Sequence, residues 1–239
     1  MKKILLLLFA FLAITSHTTF ADPIPPSLIP AGLLPGQQFR LVFVTSTSTR
    51  VDSIFSTDIA DFDAFVTGAA NGAGSLLVPL GLSWTVIGST ATVDAIDHIH
   101  LTPDTVPIYN LLRQLVAPNE AGLWDGSLDN AISANEFGSS LSTSVWTGTL
   151  DSGLKSAFSP LGGGGARLGS STATNSAWIN SGDNEGYLAF PLYGISPILT
   201  VPNPVPEPGT VTLLLAGLLG LGGAARRKAR GKKKSYQIV

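Results

Sequence analysis

The stretch Phe39-Arg40-Leu41-Val42-Phe43-Val44 marks the beginning of the folded part of this 239-residue chain. Phe39, Leu41 and Phe43 alternate with the other three residues, which is the two-residue period of a β-strand. Both sets contain apolar side chains, so the stretch predicts a strand with at least one well-buried face. The Ser/Thr-rich segment 45–49 ends this strand.

The segment after the strand has the period of a helix. Its apolar residues recur three or four positions apart, at Ile59, Phe62, Phe65 and Val66, and therefore share one helical face. Ser56 or Thr57 is the predicted N-cap, because a side-chain oxygen there accepts a hydrogen bond from a free backbone N–H. Acidic residues near the positive end and helix breakers at the other end complete the pattern, at Asp58, Asp61, Gly68 and Asn71-Gly72.

Beyond this helix the chain is a series of short apolar or aromatic runs separated by Gly, Ser, Asn and Asp. The runs cover residues 84–87, 106–109, 145–149 and 187–192. Such runs between turn residues predict short strands joined by long loops, with the glycine run 162–165 as the most flexible loop. One helix among several short strands predicts an α+β fold.

The order of these segments also points to a known type of domain. The segments are Trp84-Thr85-Val86-Ile87-Gly88, Pro107-Ile108-Tyr109, Leu123-Trp124-Asp125-Gly126, Val145-Trp146-Thr147-Gly148-Thr149 and, last, Trp178. This order resembles that of C-type-lectin-like and endostatin-like domains over roughly residues 84–193. The resemblance implies that residues 37–200 form a C-type-lectin-like domain of short strands and long loops. In the Trp-Thr-Gly-Thr segment an aromatic is expected to fill the core, and the glycine lets backbone pass close by.

The N-terminus has the pattern of an export signal. Lys2 and Lys3 precede the apolar run 4–14, and Thr19-Phe20-Ala21 places small residues before a cut ahead of Asp22. A signal peptidase is therefore expected to remove residues 1–21. Five prolines between positions 22 and 36 predict an extended, Pro-rich leader, and the fold is expected to start after it.

The C-terminus has three parts. A Pro-rich linker, residues 201–209, ends in Pro206-Glu207-Pro208-Gly209. The uncharged apolar segment 210–225 is long enough, as a helix of about 25 Å, to cross a membrane with some thinning of the bilayer. Seven cations follow within the tail 226–239, at Arg226, Arg227, Lys228, Arg230, Lys232, Lys233 and Lys234. Cations beside such a segment favour the cytoplasmic side, so the preceding domain is predicted to lie outside the inner membrane.

In this arrangement the tail resembles the PEP-CTERM sorting signal of exported bacterial proteins. The resemblance implies recognition and processing by an exosortase in bacteria that make exopolysaccharide. Pro206, Glu207 and Pro208 are the expected recognition or cleavage determinants, and the cations that follow hold the orientation in the inner membrane. The implied destination is the cell envelope or the extracellular space after a transient membrane-anchored stage. A plain tail anchor that is never cut is the alternative.

The exported part is strongly acidic although the whole chain has a formal charge of only −2. Residues 22–200 contain fifteen acidic residues against five basic ones, a formal charge of −10. This balance disfavours nucleic acid and anionic membranes as partners and tolerates cations and neutral glycans. The chain has no cysteine, so its size rather than disulfides must provide a stable core.

Two groups of residues are candidate metal ligands. One is the Asp-x-x-Asp-His-x-His pattern formed by Asp94, Asp97, His98 and His100. A solvated polar loop is favoured here over a metal site. Asp183, Asn184 and Glu185 form the densest set of oxygen ligands and are the weak candidates for calcium, with an exposed turn between two strands as the favoured reading. No other cofactor is predicted.

The aromatic residues give the remaining candidates. Any of the four tryptophans could stack on a sugar ring if exposed, with core packing as the alternative. Trp146 is expected in the core, whereas Trp124, near a glycine on either side and beside Asp125, is the tryptophan expected to reach the surface. Pro118-Asn119-Glu120 has the residue types of the Glu-Pro-Asn signature of calcium-dependent lectins in another order. Sugar binding is therefore not carried over from the resemblance.

The sequence predicts an exported protein with a non-enzymatic structural or binding role, linked to exopolysaccharide. Two alternatives stay open. One is a secreted hydrolase acting on polysaccharide or peptide, using paired carboxylates or a serine against His98 or His100. The other is a calcium-dependent glycan-binding module using Asp183 and Glu185. No Gly-x-Ser-x-Gly turn is present to support a serine nucleophile.

Overall fold

The strand predicted from the opening stretch is the centre of a mixed sheet. A computed structural model describes residues 24–51 and 56–204 of the chain. Its strands are β1 (Gln38–Val44), β2 (Thr49–Arg50), β3 (Thr85–Val86), β4 (Ile108–Asn110), β5 (Leu115–Ala117), β6 (Ser144–Trp146), β7 (Gly165–Ser170), β8 (Gly182–Glu185), β9 (Ala189–Phe190), β10 (Tyr193–Ile195) and β11 (Leu199–Thr200). Its helices are α1 (Ile59–Ala70) and α2 (Ala95–His98), and 3-10 turns lie at Pro26–Leu28, Val78–Leu80, Ala121–Leu123 and Ser176–Trp178. This strand-rich architecture with few helices is consistent with the predicted α+β class.

The main sheet has the strand order β3-β10-β1-β4-β5, and β11 pairs with the start of β1. β1 is parallel to β4 and antiparallel to β10 and β11. A separate antiparallel sheet has the order β6-β7-β8, and β2 pairs with β9. β1 has a neighbour on each side, so its backbone groups are paired. All its residues after Gln38 are also buried.

The side chains of β1 alternate between two hydrophobic cores, one on each face of the strand. One core contains Phe39, Leu41 and Phe43 together with Phe62 and Val66 of α1. The other contains Val42 and Val44 together with Trp178, Tyr193 and Ile195. Successive side chains of a strand point to opposite faces, so Arg40 shares the face of Val42 and Val44. It is a buried charge on an otherwise apolar face, and its partner has to come from elsewhere in the fold.

Helix α1 confirms the predicted helix but corrects its first cap. Asp58, rather than Ser56 or Thr57, is the N-cap, and its carboxylate accepts a hydrogen bond from the N–H of Ala60 at 3.0 Å. Ser56 instead accepts a bond from the N–H of Asp58 at 3.0 Å. The helix passes through Gly68 and ends at Ala70, with Asn71 as its C-cap. Glycine alone lowers helix stability by only about 1 kcal/mol, which the buried apolar face outweighs.

Each of the four predicted short strands overlaps an observed strand, namely β3, β4, β6 and β9. β7 and β8 were not predicted, because their sequences Gly-Ala-Arg-Leu-Gly-Ser and Gly-Asp-Asn-Glu are poor in β-branched and aromatic residues. Glycine is required there for close packing. A Cβ on Gly165 would lie 2.5 Å from the carbonyl oxygen of Asn184 in the neighbouring strand. The turn expected at residues 183–185 is therefore part of a strand.

The Trp-Thr-Gly-Thr segment behaves as the sequence predicts. Trp146 is fully buried, and its indole N–H donates to the carbonyl oxygen of Thr49 at 3.0 Å. Its ring packs edge-on against Phe190 with ring centroids 5.1 Å apart. Gly148 has a φ of +65°, and a Cβ there would lie 2.5 Å from the backbone nitrogen of Leu161. The aromatic fills the core, and the glycine allows two backbone segments to touch.

The Pro-rich leader is part of the fold, which corrects the expectation that the fold begins after it. Pro26–Leu28 form a 3-10 turn, a conformation that proline at the first helical position favours. Leu28 is only 1% exposed, and Ile24, Ile29 and Leu33 pack against the first core. The apolar residues between the prolines therefore anchor the leader to the sheet.

Several sequence predictions lie outside the described residues. They concern the signal peptide 1–21, most of the sorting linker 201–209 with Pro206, Glu207, Pro208 and Gly209, the apolar segment 210–225 and the basic tail 226–239. The compact unit that contains the two cores extends to Pro202. Within residues 24–51 and 56–204, no helix is long and apolar enough to cross a membrane.

Candidate functional site

A cleft opens on the side of the second core, and we call it the Trp124 cleft. Its volume is about 330 Å³, and its walls are formed by Ile96, Asp97, His100, Asp104, Glu120, Ala121 and Trp124. Two other hollows of about 420 Å³ are less varied chemically. One is lined by glycines and polar side chains of β7 and β8, and the other mainly by apolar residues of α1. The Trp124 cleft combines an aromatic ring, three carboxylates and an imidazole, so it is the candidate site.

Two segments distant in sequence build the cleft. Asp97 lies in α2, and His100 and Asp104 lie in the loop that follows it. Glu120 precedes the 3-10 turn Ala121–Leu123, and Trp124 ends it. The backbone N–H of Glu120 donates to the carbonyl oxygen of Asp104 at 3.1 Å, which ties the two segments together. Asn119 stabilises the turn because its side-chain oxygen accepts a hydrogen bond from the N–H of Gly122 at 2.9 Å.

The Trp124 ring is the outer member of a row of three aromatic rings. Its centroid is 5.8 Å from that of Trp178, and Trp178 is in turn 5.8 Å from Tyr193. Tyr193 is completely buried, and its hydroxyl donates to the carbonyl oxygen of Trp178 at 3.1 Å. Burial raises the pKa of Tyr193 far above its ordinary value, so its hydroxyl stays a donor. The row connects the cleft to the second core.

Trp124 is also held from the side by backbone. A Cβ on Gly153 would lie 2.9 Å from Cδ2 of Trp124 and 2.8 Å from Cβ of Ile96, so only glycine fits against the ring. The indole Nε1 is buried and has no hydrogen-bond partner among the described residues. As the sequence predicts, Trp124 is the tryptophan that reaches the surface, since the other three are at most 1% exposed.

Glu120 joins the cleft to the interior. One of its carboxylate oxygens is 2.8 Å from Nδ1 of His100, and the other accepts the N–H of Leu101 at 3.3 Å. The second oxygen also lies 3.7 Å from Nη1 of Arg40. Arg40 donates to the carbonyl oxygens of Ser196 and Ile99, both at 2.9 Å. Burial lowers the pKa of Arg40 to about 10, against the opposing effect of Glu120, so it remains charged at neutral pH.

The outer part of the cleft is negative. Asp97 and Asp104 are exposed, and neither carboxylate has a hydrogen bond or ion pair within the described part of the chain. The pKa of His100 is raised above its ordinary value of 6.5, first by the hydrogen bond with Glu120 and then by the charge of Glu120, with smaller contributions from Asp104 and Asp97. Two free carboxylates therefore flank an imidazole that is easily protonated.

The structure places the four residues of the Asp-x-x-Asp-His-x-His pattern in three different environments. Asp94 accepts the backbone N–H of Lys155 at 2.7 Å and pairs with its ammonium group at 3.2 Å. Nε2 of His98 is 3.0 Å from the carboxylate of Asp63 in α1. Only Asp97 and His100 reach the cleft. Asp104 had no signal in the sequence, and Glu120 was noted only within Pro118-Asn119-Glu120, because the place of both residues in the cleft depends on how the two loops meet.

The calcium candidates lie elsewhere, on β8. Asp183 forms an ion pair with Nε of Arg167 on β7 at 3.2 Å. The side-chain oxygen of Asn184 accepts the N–H of Glu185 at 2.8 Å. No group of three or more His, Asp or Glu side chains in the described segments is placed to hold a metal ion. Calcium binding at Asp183, Asn184 and Glu185 stays an untested prediction.

The serine form of the hydrolase alternative has no serine paired with a histidine in the described segments. Both described histidines hydrogen-bond to carboxylates, His98 to Asp63 and His100 to Glu120, and neither bonds to a serine. A general base for a serine nucleophile would need such a contact. Paired carboxylates are present in the cleft, so a hydrolase acting through them stays open to experiment.

Comparison with known proteins identifies the tail. Residues 204–228 match the PEP-CTERM protein-sorting motif. No curated protein matches the chain. The match covers residues 204–209 of the linker, the apolar segment 210–225 and the first three cations of the tail, and it begins two residues after the folded unit ends at Pro202. The chain therefore carries the C-terminal sorting signal of an exported protein that an exosortase processes.

Proposed function

We propose that the exported domain is a non-enzymatic component of the cell envelope or extracellular matrix that binds glycan through the Trp124 cleft. The observation that carries this proposal is the partly exposed Trp124 ring beside the unpaired carboxylates of Asp97 and Asp104. An indole face packs on the apolar face of a sugar ring, and carboxylate oxygens accept hydrogen bonds from sugar hydroxyls. These are the complementary groups that a polyhydroxylated ligand requires.

The rigidity of the cleft supports the same proposal. Trp124 packs against the backbone of Gly153 and the ring of Trp178, so it loses little freedom when a ligand stacks on it. Glu120 is fixed by Arg40, Leu101 and His100. A site held in advance binds with a smaller entropic cost than one formed on mobile loops.

The test is retention of the full exported protein on the exopolysaccharide of its own host. Trp124→Ala should lose most of this retention. Because that variant also removes a packing partner of Trp178, Asp104→Asn provides a second variant at an exposed position. Tyr187→Ala, which removes a 58% exposed aromatic from another part of the surface, is the matched control. Thermal unfolding of every variant separates loss of binding from loss of the fold.

The outcomes distinguish this proposal from its alternatives. Retention that is unchanged in Trp124→Ala and Asp104→Asn would contradict a role for the cleft. Release of new reducing ends from the polysaccharide would favour the hydrolase. Retention that requires calcium and disappears in Asp183→Ala or Glu185→Ala would favour the calcium-dependent module.

For the tail we propose that Pro206, Glu207 and Pro208 are read by the exosortase. The motif match at residues 204–228 supports this assignment. The test is the intact mass of protein from its native host, with a strain lacking the sorting enzyme as control. A wild-type mass without the segment beyond Pro208, retained in the control strain, is expected. A Glu207→Ala protein that is processed normally would contradict the role of that residue, and an uncut tail in both strains would indicate a simple membrane anchor.

A further inference from the structure

We infer that the Trp124 cleft selects glycans with free amino groups over their neutral and uronic-acid counterparts. This inference rests on the proposed glycan binding and adds the chemical class of the ligand. It follows from the charges around the indole ring rather than from the cleft shape alone.

The guanidinium that approaches the cleft from the interior is not available to a ligand. Arg40 is 3% exposed and contacts Glu120 from the interior. Its Nε and Nη1 donate to the carbonyl oxygens of Ser196 and Ile99, so both groups already have acceptors. A uronic-acid carboxylate in the cleft would therefore meet no free guanidinium at this position.

The other nearby cation is also paired. Lys155 follows the Gly153 turn that holds Trp124, and its ammonium group lies 3.2 Å from Asp94. His100, when protonated, donates to Glu120 at 2.8 Å. Arg40 and His100 thus share the carboxylate of Glu120 and Lys155 pairs with Asp94, whereas the carboxylates of Asp97 and Asp104 have no hydrogen bond or ion pair within the described residues.

These two carboxylates and the indole ring suit an ammonium group. A cation within about 6 Å of an indole face is attracted by the ring, and carboxylates add charge-assisted hydrogen bonds. The acidic composition of the exported part, with a formal charge of −10 for residues 22–200, extends the same preference over a longer range. A polyanionic chain would be repelled by both features.

The experiment compares three soluble probes of equal length: a glucosamine oligomer, an N-acetylglucosamine oligomer and a uronic-acid oligomer. Binding to the full exported protein is measured by calorimetry at low and high salt, at a pH where the amines are protonated. The glucosamine oligomer should bind roughly tenfold more tightly than the acetylated one at low salt. The double variant Asp97→Asn/Asp104→Asn should lose this preference. Asp61→Asn, an exposed aspartate on α1, is the control with the same change of side chain.

Each result has a defined meaning. A preference for the amine that is lost in the double variant and kept in Asp61→Asn supports the inference. Equal binding of the amine and its acetylated form, or preference for the uronic acid, overturns the inference and leaves the glycan proposal intact. A preference that persists in the double variant places the selectivity outside the cleft and also overturns it. Absence of binding to all three probes and to the host polysaccharide contradicts both proposals.

Discussion

The guanidinium of Arg40 lies 3.7 Å from the carboxylate of Glu120, and the two side chains are only 4% and 9% exposed. Arg40 belongs to the central strand β1, whereas Glu120 lines the Trp124 cleft. The pair therefore connects the middle of the main sheet to the candidate site. Through Ile99, Leu101 and Ser196 it also fixes the loop that carries His100 and the chain after β10.

Replacing Glu120 by glutamine should destabilise the fold by about 3 kcal/mol, because the Arg40 charge would then be buried without a counter-ion. The pKa of Arg40 is about 10, so Arg40 stays charged at neutral pH and does not relieve this cost by losing its proton. Chemical unfolding monitored by tryptophan fluorescence measures the change. Glu185→Gln, at an exposed position on β8, is the control and should change stability very little. Equal effects of the two substitutions would show that the buried pair has no special role.

Two glycine-to-alanine substitutions should change stability in opposite directions. Gly148→Ala places a Cβ 2.5 Å from the nitrogen of Leu161 at a φ of +65°, and we expect a loss of about 3 kcal/mol. Gly68 lies inside α1, and a Cβ there would meet nothing within 4 Å. Alanine at this position should stabilise the helix by about 0.5 to 1 kcal/mol. Thermal unfolding of both variants is the measurement, and a stabilised Gly148→Ala protein would refute the close backbone contact.

His100 should make stability depend on pH in a defined direction. Its pKa is higher in the folded protein than its ordinary value of 6.5, mainly through the hydrogen bond with Glu120. Its contribution is therefore complete below pH 6.5 and is lost as the pH rises through the folded-state pKa. The difference in unfolding free energy between wild type and His100→Gln should shrink from about pH 6 to about pH 8. NMR titration of the imidazole gives the midpoint directly, and a value below 6.5 would contradict this arrangement.

Removal of calcium should leave thermal unfolding and glycan retention unchanged. Calcium usually takes six to eight oxygen ligands, whereas Asp183 is engaged by Arg167 at 3.2 Å. Alternation along β8 also directs Asn184 to the face opposite Asp183 and Glu185. Unfolding is compared in excess chelator and in millimolar calcium, with Asp183→Asn as the variant. A higher midpoint in calcium that is lost in Asp183→Asn would support the calcium site instead.

The elements that could be predicted are those whose signal is local. β1 alternates apolar residues over its length, and α1 repeats them at helical spacing, so hydrophobic burial makes both elements visible in the sequence. Trp146 and Gly148 were interpreted correctly because an aromatic in an apolar run and a glycine after it have few other uses. Strands β7 and β8 were missed, since their stability comes from backbone pairing with each other and with β6, not from their own side chains.

Only part of the candidate site could be predicted from the sequence. The sequence singled out Trp124 as a surface aromatic and His100 as a possible ligand. It gave no reason to join them to Asp104 or Glu120, because that contact depends on the N–H of Glu120 reaching the carbonyl of Asp104. It also grouped His98 with His100, although the single turn of α2 directs His98 to Asp63 instead.

The sequence alone determined the sorting signal of this protein, since a linear motif is recognised from the order of its residues. It also determined the acidic charge of the exported part, which is a sum over residues. Only the tertiary structure decided which carboxylates remain free. Arg40 neutralises Glu120 and Lys155 neutralises Asp94 across 80 and 61 positions of sequence, and Asp97 and Asp104 are left at the cleft opening. Charge can be counted from the sequence, but its pairing depends on distances that only the fold sets.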